Sequence, residues 1–421
     1  QAFYYFLKSW ESALSEDIEG AYSYQQLSNE LMPKTGYLPP IAAVHIALAE
    51  LLHFKGDSSG AEREFEAGKE IATRMKSSYW EFMYFMFKAN AAFTSGDEMQ
   101  GNALLKQAFP LARKHGLANM YGWRPQVMAR LCEKALLEGI ETEFVQELIR
   151  KRVFLFPEKE KTPPETDLWP YPVKIYTLGR FQVLINDSPL EFSGKMQKKP
   201  LGILKMLAAR GPEGVPEKEL LDILWPDVDG DLAQQSFDTT LHRLRKLLKN
   251  EKAVFLRDGQ LGLDRRHVWV DLWSFEALCS GADGQPMGGQ PLNGVSPLEN
   301  ALKIYKGKFL PLDALEAWAV SRQEKLDHLL FNLVKALGNV YEQKAEFEKA
   351  ASIYRKGIEL NDAAEEFYQK LMLYFSRLGQ RTEAIMVYNR CRSRLAAVLN
   401  IRPSSKTESI YASLLEKDNR A

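Results

Sequence analysis

Apolar positions recur with a helical period over residues 1 to about 156, with a period of two from Val173, and with a helical period again beyond Asp271. In the first region a pattern near forty residues long repeats. Leu51-Leu52-His53-Phe54-Lys55-Gly56-Asp57, followed by Ala61 and Ile71-Ala72, returns as Ala91-Ala92-Phe93-Thr94-Ser95-Gly96-Asp97, followed by Leu111-Ala112. A weaker third copy centres on Glu138-Gly139. In each Gly-Asp pair the glycine supplies the left-handed helix stop and the aspartate caps the next helix. The pattern predicts a solenoid of helix hairpins. Such an array either offers a concave surface to a peptide, protein or small molecule, or serves only as an arm.

Pro157, Pro163, Pro164, Pro170 and Pro172 punctuate the segment 157–172, which reads as a semi-rigid linker ending on the anchors Trp169 and Tyr171. From Val173, alternation at Val173, Ile175, Phe181, Val183 and Ile185 predicts short strands around a turn at Leu178-Gly179-Arg180. A second turn at Asn186-Asp187 precedes Leu190 and Phe192. Three helices are expected next: near 196–209, from Pro216 to Trp225, and from about Leu232 to Lys249, the last with Asp231 and Gln234 as a capping box. Ala253 to Leu263 forms a hairpin around Asp258-Gly259, a pair that favours the tight primed turn. Sheet, three helices and hairpin make a winged helix-turn-helix over 173–270. The remainder, 271–421, opens with Asp271 as a helix cap and a loop from Gly281 to Pro297. It continues as helices with a period of 34, in which Gly338, Tyr341, Ala350 and Tyr354 correspond to Met372, Phe375, Ala384 and Tyr388. The expected fold is therefore mainly α with a small α+β module between two tetratricopeptide-like helical regions.

The third helix of the module carries the chemistry. At 100° per residue, Phe237, Leu241, Leu244 and Leu248 form one stripe, while Gln235, Thr239, His242 and Lys246 lie opposite. A helix held down by leucines and polar on its outer face suits base reading in a DNA major groove, although a solvated amphipathic helix has the same pattern. Gln235, Thr239, His242 and Arg243 are the candidates for base contact. Arg245, Lys246 and Lys249, with Arg257 at the hairpin tip and Lys195, Lys198 and Lys199 before the first helix, are the candidates for phosphate. Asp238 is the departure. It reads as an intrahelical partner of His242 and Arg245 or, alternatively, as an acceptor for a cytosine amino group.

Composition narrows the choice. The 421 residues hold 55 Lys plus Arg against 55 Asp plus Glu, so a polyanion can only be met by a local patch. From Arg243 to Arg257 six bases face the single acid Glu251, a local excess of five. Cys132, Cys279 and Cys391 are too few and too dispersed for a disulfide framework or zinc site and are expected as buried thiols. No apolar run is long enough to span a membrane, so a cytoplasmic protein is expected. A first residue other than Met, with helical pattern starting at once, suggests the C-terminal part of a longer polypeptide. No metal-ligand cluster, G-x-S-x-G elbow or GxxxxGK[ST] loop occurs, so neither catalysis nor a cofactor is expected of these residues.

Leu178-Gly179-Arg180-Phe181, Leu224-Trp225-Pro226-Asp227, Leu244-Arg245, the run Ala301 to Leu310 and Leu399-Asn400-Ile401-Arg402-Pro403-Ser404 resemble, in order, the bacterial activator family known as antibiotic regulatory proteins. In that family an OmpR-type winged helix precedes a bacterial transcriptional activator domain. Residues 1–156 more loosely resemble the helical sensor region of MalT-like, signal-transducing ATPase regulators. The resemblance implies a bacterial, nucleoid-associated regulator that binds double-stranded DNA, engages RNA polymerase and pairs on repeated half-sites, with a protein or small-molecule effector on the helical repeats. The rival reading is a helical-repeat scaffold whose winged helix does not bind DNA.

Overall fold

The computed structural model describes residues 1–15, 17–120, 122, 124–152, 166–191, 198–280, 295–313 and 316–416. Two compact units, Gln1–Pro170 and Tyr171–Ala421, divide the chain.

The first unit is a row of antiparallel helix hairpins: α1 (Ala2–Leu14) with α2 (Ile18–Leu31), α3 (Leu38–Phe54) with α4 (Ser58–Arg74), α5 (Ser78–Thr94) with α6 (Glu98–His115), and α7 (Pro125–Leu137) with α8 (Thr142–Arg152). Gly56 and Gly96 sit at φ +84° and +80° and close their helices, as their positions in the repeat predicted. Asp57 and Asp97 then cap, accepting from the backbone N–H of Gly60 and of Gln100. Asp17 makes the same bond with Gly20, forty residues before Asp57, so the array starts one hairpin earlier than the Gly-Asp signature reveals. A Cβ on Gly60 would fall 2.2 Å from the Asp57 carboxylate, which explains a glycine inside this helix. From α8, the Gln146 amide donates to the Leu168 carbonyl at 2.7 Å. The linker residues 157–165 lie outside the described residues.

The second unit opens with β1 (Val173–Tyr176), β2 (Gln182–Ile185) and β3 (Ser188–Pro189). Asn186 and Asp187 are both left-handed, at φ 48° and 63°, so a two-residue turn sets Ile185 opposite Ser188. The third strand thus begins two residues before the expected Leu190, and Phe192 lies outside the described residues. Next come α9 (Lys198–Arg210), β4 (Val215–Pro216), α10 (Glu217–Leu224), α11 (Gly230–Leu248), β5 (Val254–Arg257), β6 (Gln260–Leu263) and β7 (Val268–Val270). β7 returns parallel to β1 and completes the sheet in the order β3-β2-β1-β7, while β4-β6-β5 form the wing sheet. Sheet, three helices and wing give the winged helix-turn-helix topology.

The helical remainder comprises α12 (Asp271–Cys279), α13 (Val295–Ile304), α14 (Ala317–Gln343), α15 (Phe347–Leu360), α16 (Glu365–Arg377), α17 (Arg381–Leu399) and α18 (Ser405–Glu416). The Gly/Pro stretch expected as a loop lies outside the described residues as far as 294, and α13 occupies its last positions. All eight positions of the 34-residue repeat are buried. Gly338 lies beneath the Tyr354 ring, where an added Cβ would fall 2.3 Å from a ring carbon.

Asp271 corrects the sequence expectation. It lies at the start of α12 without acting as its N-cap, and its buried carboxylate reaches residues more than ninety positions away in sequence. It accepts from the N–H of Thr177 (2.8 Å) and of Leu178 (2.9 Å), from the Thr177 hydroxyl (2.7 Å) and from the Leu272 N–H (2.7 Å). Alongside, Gly179 N–H donates to the Lys308 carbonyl and Leu310 N–H to the Thr177 carbonyl, both at 2.8 Å. Gly179 and Gly307 approach so closely that a Cβ on either would lie within 3.1 Å of the other's backbone segment. Two motifs of the family resemblance, Leu178-Gly179-Arg180-Phe181 and Lys306 to Leu310, are therefore the two halves of one clasp that fastens the helical region to the β-sheet. Lys205 with Asp313 (2.7 Å) and the Trp273 indole donating to the Ala208 carbonyl (2.8 Å) bind α9 to the same region. One apolar core runs from Val173 to Leu414.

Candidate nucleic-acid interface

α11 is built to be gripped on one side. Ala233, Phe237, Thr240, Leu241, Leu244 and Leu248 are buried, and Trp225 meets the Phe237 ring edge-on at 6.4 Å. Its start is capped by Asp229, which accepts from the Asp231 N–H. The expected Asp231–Gln234 capping box does not form, because the Gln234 amide instead donates to Glu217 and ties α11 to α10. Three acids at 227, 229 and 231 compete for that cap, and the loop geometry selects the middle one.

The other side faces out. Gln235, Asp238, Thr239, His242, Arg243, Lys246 and Lys249 are exposed, and Arg245 is half-buried. The Thr239 hydroxyl donates back to the Gln235 carbonyl at 2.9 Å, which leaves its oxygen free to accept. Asp238 corrects the intrahelical reading: it pairs with neither His242 nor Arg245. Arg245 lies seven residues on, about 10 Å along the axis. A solvated pair with His242 would return only a few tenths of a kcal/mol.

Among the described residues, no hydrogen bond or ion pair engages the side chains of Arg243, Arg245, Lys246, Lys249 or Lys252, in a protein where Lys88, Arg124, Lys205 and Arg322 all have carboxylate partners. At the wing tip Asp258 and Gly259 take left-handed conformations (φ 51° and 71°), the tight turn their sequence predicted, and exposed Arg257 lies over the Phe255 ring at 5.6 Å.

The lysines before α9 divide. Lys195 lies outside the described residues. Lys198 is exposed at the first turn of α9. Lys199 has a different post from the one expected: its ammonium donates to the Leu224 carbonyl at the end of α10 and sits 4.9 Å above the Trp225 ring. Leu224-Trp225 is a sequence neighbour of Pro226, so the carbonyl left open at this helix end is the signal that sequence reasoning missed. No cluster of metal-ligating side chains exists among the described residues, and Cys132, Cys279 and Cys391 are buried, as the sequence predicted. No helix among the described residues is long and apolar enough to cross a membrane.

The fold and the clasp define a winged-helix module welded to a helical-repeat region. Residues 270–415 match the family model of the bacterial transcriptional activator domain, the domain that the sequence resemblance placed at 271–421. No curated protein matches the chain in sequence. Among solved structures it is similar to Mycobacterium tuberculosis EmbR in complex with a low affinity phosphopeptide, with 18% identity, TM-score 0.43, 59% of this chain and 66% of that one. It is also similar to the TPR2AB domain of yeast Sti1 in its Hsp90 complex, with 13% identity, TM-score 0.22, 89% of this chain and 98% of that one. The fold assignment rests on the topology above, and this chain spans less than two thirds of the EmbR chain.

Proposed function

We propose that the chain is a sequence-specific DNA-binding regulator of transcription. In this reading α11 lies in the major groove of double-stranded DNA. Gln235, Thr239, His242 and Arg243 read base edges, while Arg245, Lys246, Lys249, Lys198 and Arg257 meet phosphates. The observation that supports it best is the unpaired cationic face of α11 backed by a fully buried leucine stripe. Residues 1–156 serve as the sensing region, 173–270 as the DNA-binding domain and 271–421 as the activator domain. The last engages RNA polymerase or a second copy of the chain on repeated half-sites. No step requires a catalytic group or cofactor.

His242→Ala will lower the preference for the specific duplex over a scrambled one about tenfold, since a base contact is worth about 1–3 kcal/mol of discrimination. Lys246→Ala will weaken binding to both duplexes alike. Parallel titrations on the two duplexes check this. The scaffold reading gains from the zero net charge and from unpaired Asp238 on the outer face, and it predicts no complex at low salt.

A further inference from the structure

The seam between α9 and α14 holds a cleft of about 270 Å³. Met206, Ala209 and Arg210 line it from α9, and Trp318, Ser321, Arg322 and Lys325 face them from α14. Both sets recur every three or four residues, so each is one face of its helix. Ties beside the cleft set the separation of the two helices. Lys205 on α9 pairs with Asp313 just before α14 at 2.7 Å, and Arg322 pairs with Glu276 on α12 at 2.5 Å. Ala209 and Ser321 are too small to fill the space left between them. Ser321 and Lys325 are exposed, so solvent reaches it. An apolar cavity of about 150 Å³ holds benzene, so this cleft has room for a one- or two-ring molecule.

The lining also specifies the chemistry of an occupant. Half-buried Trp318 supplies a flat apolar wall, held by an edge-on contact with the buried Phe309 ring at 6.4 Å. Three cations line the cleft and no acid does. Arg210 is paired with Glu219 and Arg322 with Glu276, and neither carboxylate is on the lining. Lys325 has no hydrogen bond or ion pair among the described residues and acts on Glu276 only through space. Three cations against two carboxylates leave one positive charge over. Each guanidinium has five N–H donors, so a single carboxylate partner exhausts neither arginine. We propose that the cleft binds a flat organic monocarboxylate, its apolar body against Trp318 and its carboxylate against Lys325 and the adjoining guanidinium groups. Such a ligand touches the winged-helix module and the activator domain at once, the position from which an effector acts on both.

Binding at this cleft is independent of the DNA-binding reading, and its test contains no DNA. The full chain, 15N-labelled at tryptophan, is titrated with cinnamate, its neutral counterpart cinnamamide and inorganic phosphate. The Trp318 indole signal is assigned by its loss in Trp318→Phe. Cinnamate will shift that signal saturably. Cinnamamide lacks the charge and phosphate the apolar body, and each will bind about tenfold more weakly or worse. Lys325→Gln will lower cinnamate affinity about fivefold and leave cinnamamide unchanged. Ser321→Phe, which fills the cleft from an exposed position, will abolish the shift while circular dichroism stays native. A Trp318 signal unmoved by cinnamate, equal affinity for cinnamate and either control, or cinnamate binding unchanged in Lys325→Gln or in Ser321→Phe would overturn the proposal.

Discussion

Alanine at Arg245, Lys246 and Lys249 together will weaken binding to duplex DNA by a factor on the order of 10² to 10³ at 0.1 M salt. Each neutralised phosphate steepens the dependence of log K on log salt by about 0.9, which at 0.1 M is worth about eightfold relative to 1 M. Three lost contacts compound to about 500-fold and flatten the slope by about 3. None of the three side chains has an internal hydrogen bond or ion pair, so their removal leaves the fold intact. Unchanged circular dichroism and thermal unfolding will separate lost contacts from lost structure. Leu244→Ala acts on the same helix from below. It empties a fully buried position, and it will cost stability first and affinity only as a consequence.

Asp271→Ala will destabilise the second unit by about 3 kcal/mol, because it strands the buried N–H groups of Thr177 and Leu178 and opens the clasp. Amide hydrogen exchange at Thr177, Leu178 and Gly179 reads this locally, and protection there will fall while that of α16 persists. The same carboxyl sets a pH dependence. Burial pushes Asp271 up to about 6, outweighing the hydrogen bonds from Leu178 and Thr177 that pull it down. The folded state therefore holds the proton more tightly than the unfolded chain. The stability this group contributes is complete below the ordinary aspartate range, near 3.8, and is lost as pH rises through about 6. Asp271→Asn stays neutral and will remove this slope. If hydrogen exchange at Thr177 and Leu178 in the native protein is indifferent to pH between 4 and 6 after correction for intrinsic rates, the carboxyl is not protonated on folding.

Local chemistry was legible in the sequence and long-range chemistry was not. The buried stripe of α11, the Gly56-Asp57 and Gly96-Asp97 junctions and the Asp258-Gly259 turn follow from spacing, because each is set by residues within two helical turns or one hairpin. Asp271 was assigned a capping role because aspartate before an apolar helix usually has one. Its real partners come from the far side of β1, and nothing local identifies them. Gly179 and Gly307 stood in separate motifs, and only the parallel return of β7 beside β1 brings those motifs together. Asp238 failed differently: a helical wheel places residues on a face without saying whether a solvated pair repays ordering two side chains. Lys199 shows the same limit, since a helix-end carbonyl and an indole ring compete with any phosphate for its ammonium.

The proposed interface is tested most directly by the salt dependence of binding, measured by fluorescence anisotropy with the full chain and a labelled duplex between 50 and 200 mM salt. Counterion release is independent of sequence, so a duplex of arbitrary sequence suffices. Contacts to about five to seven phosphates predict a log-log slope of roughly −4 to −6. No complex at 50 mM salt, or a slope shallower than about −1, would contradict a DNA-binding role for α11 and the wing.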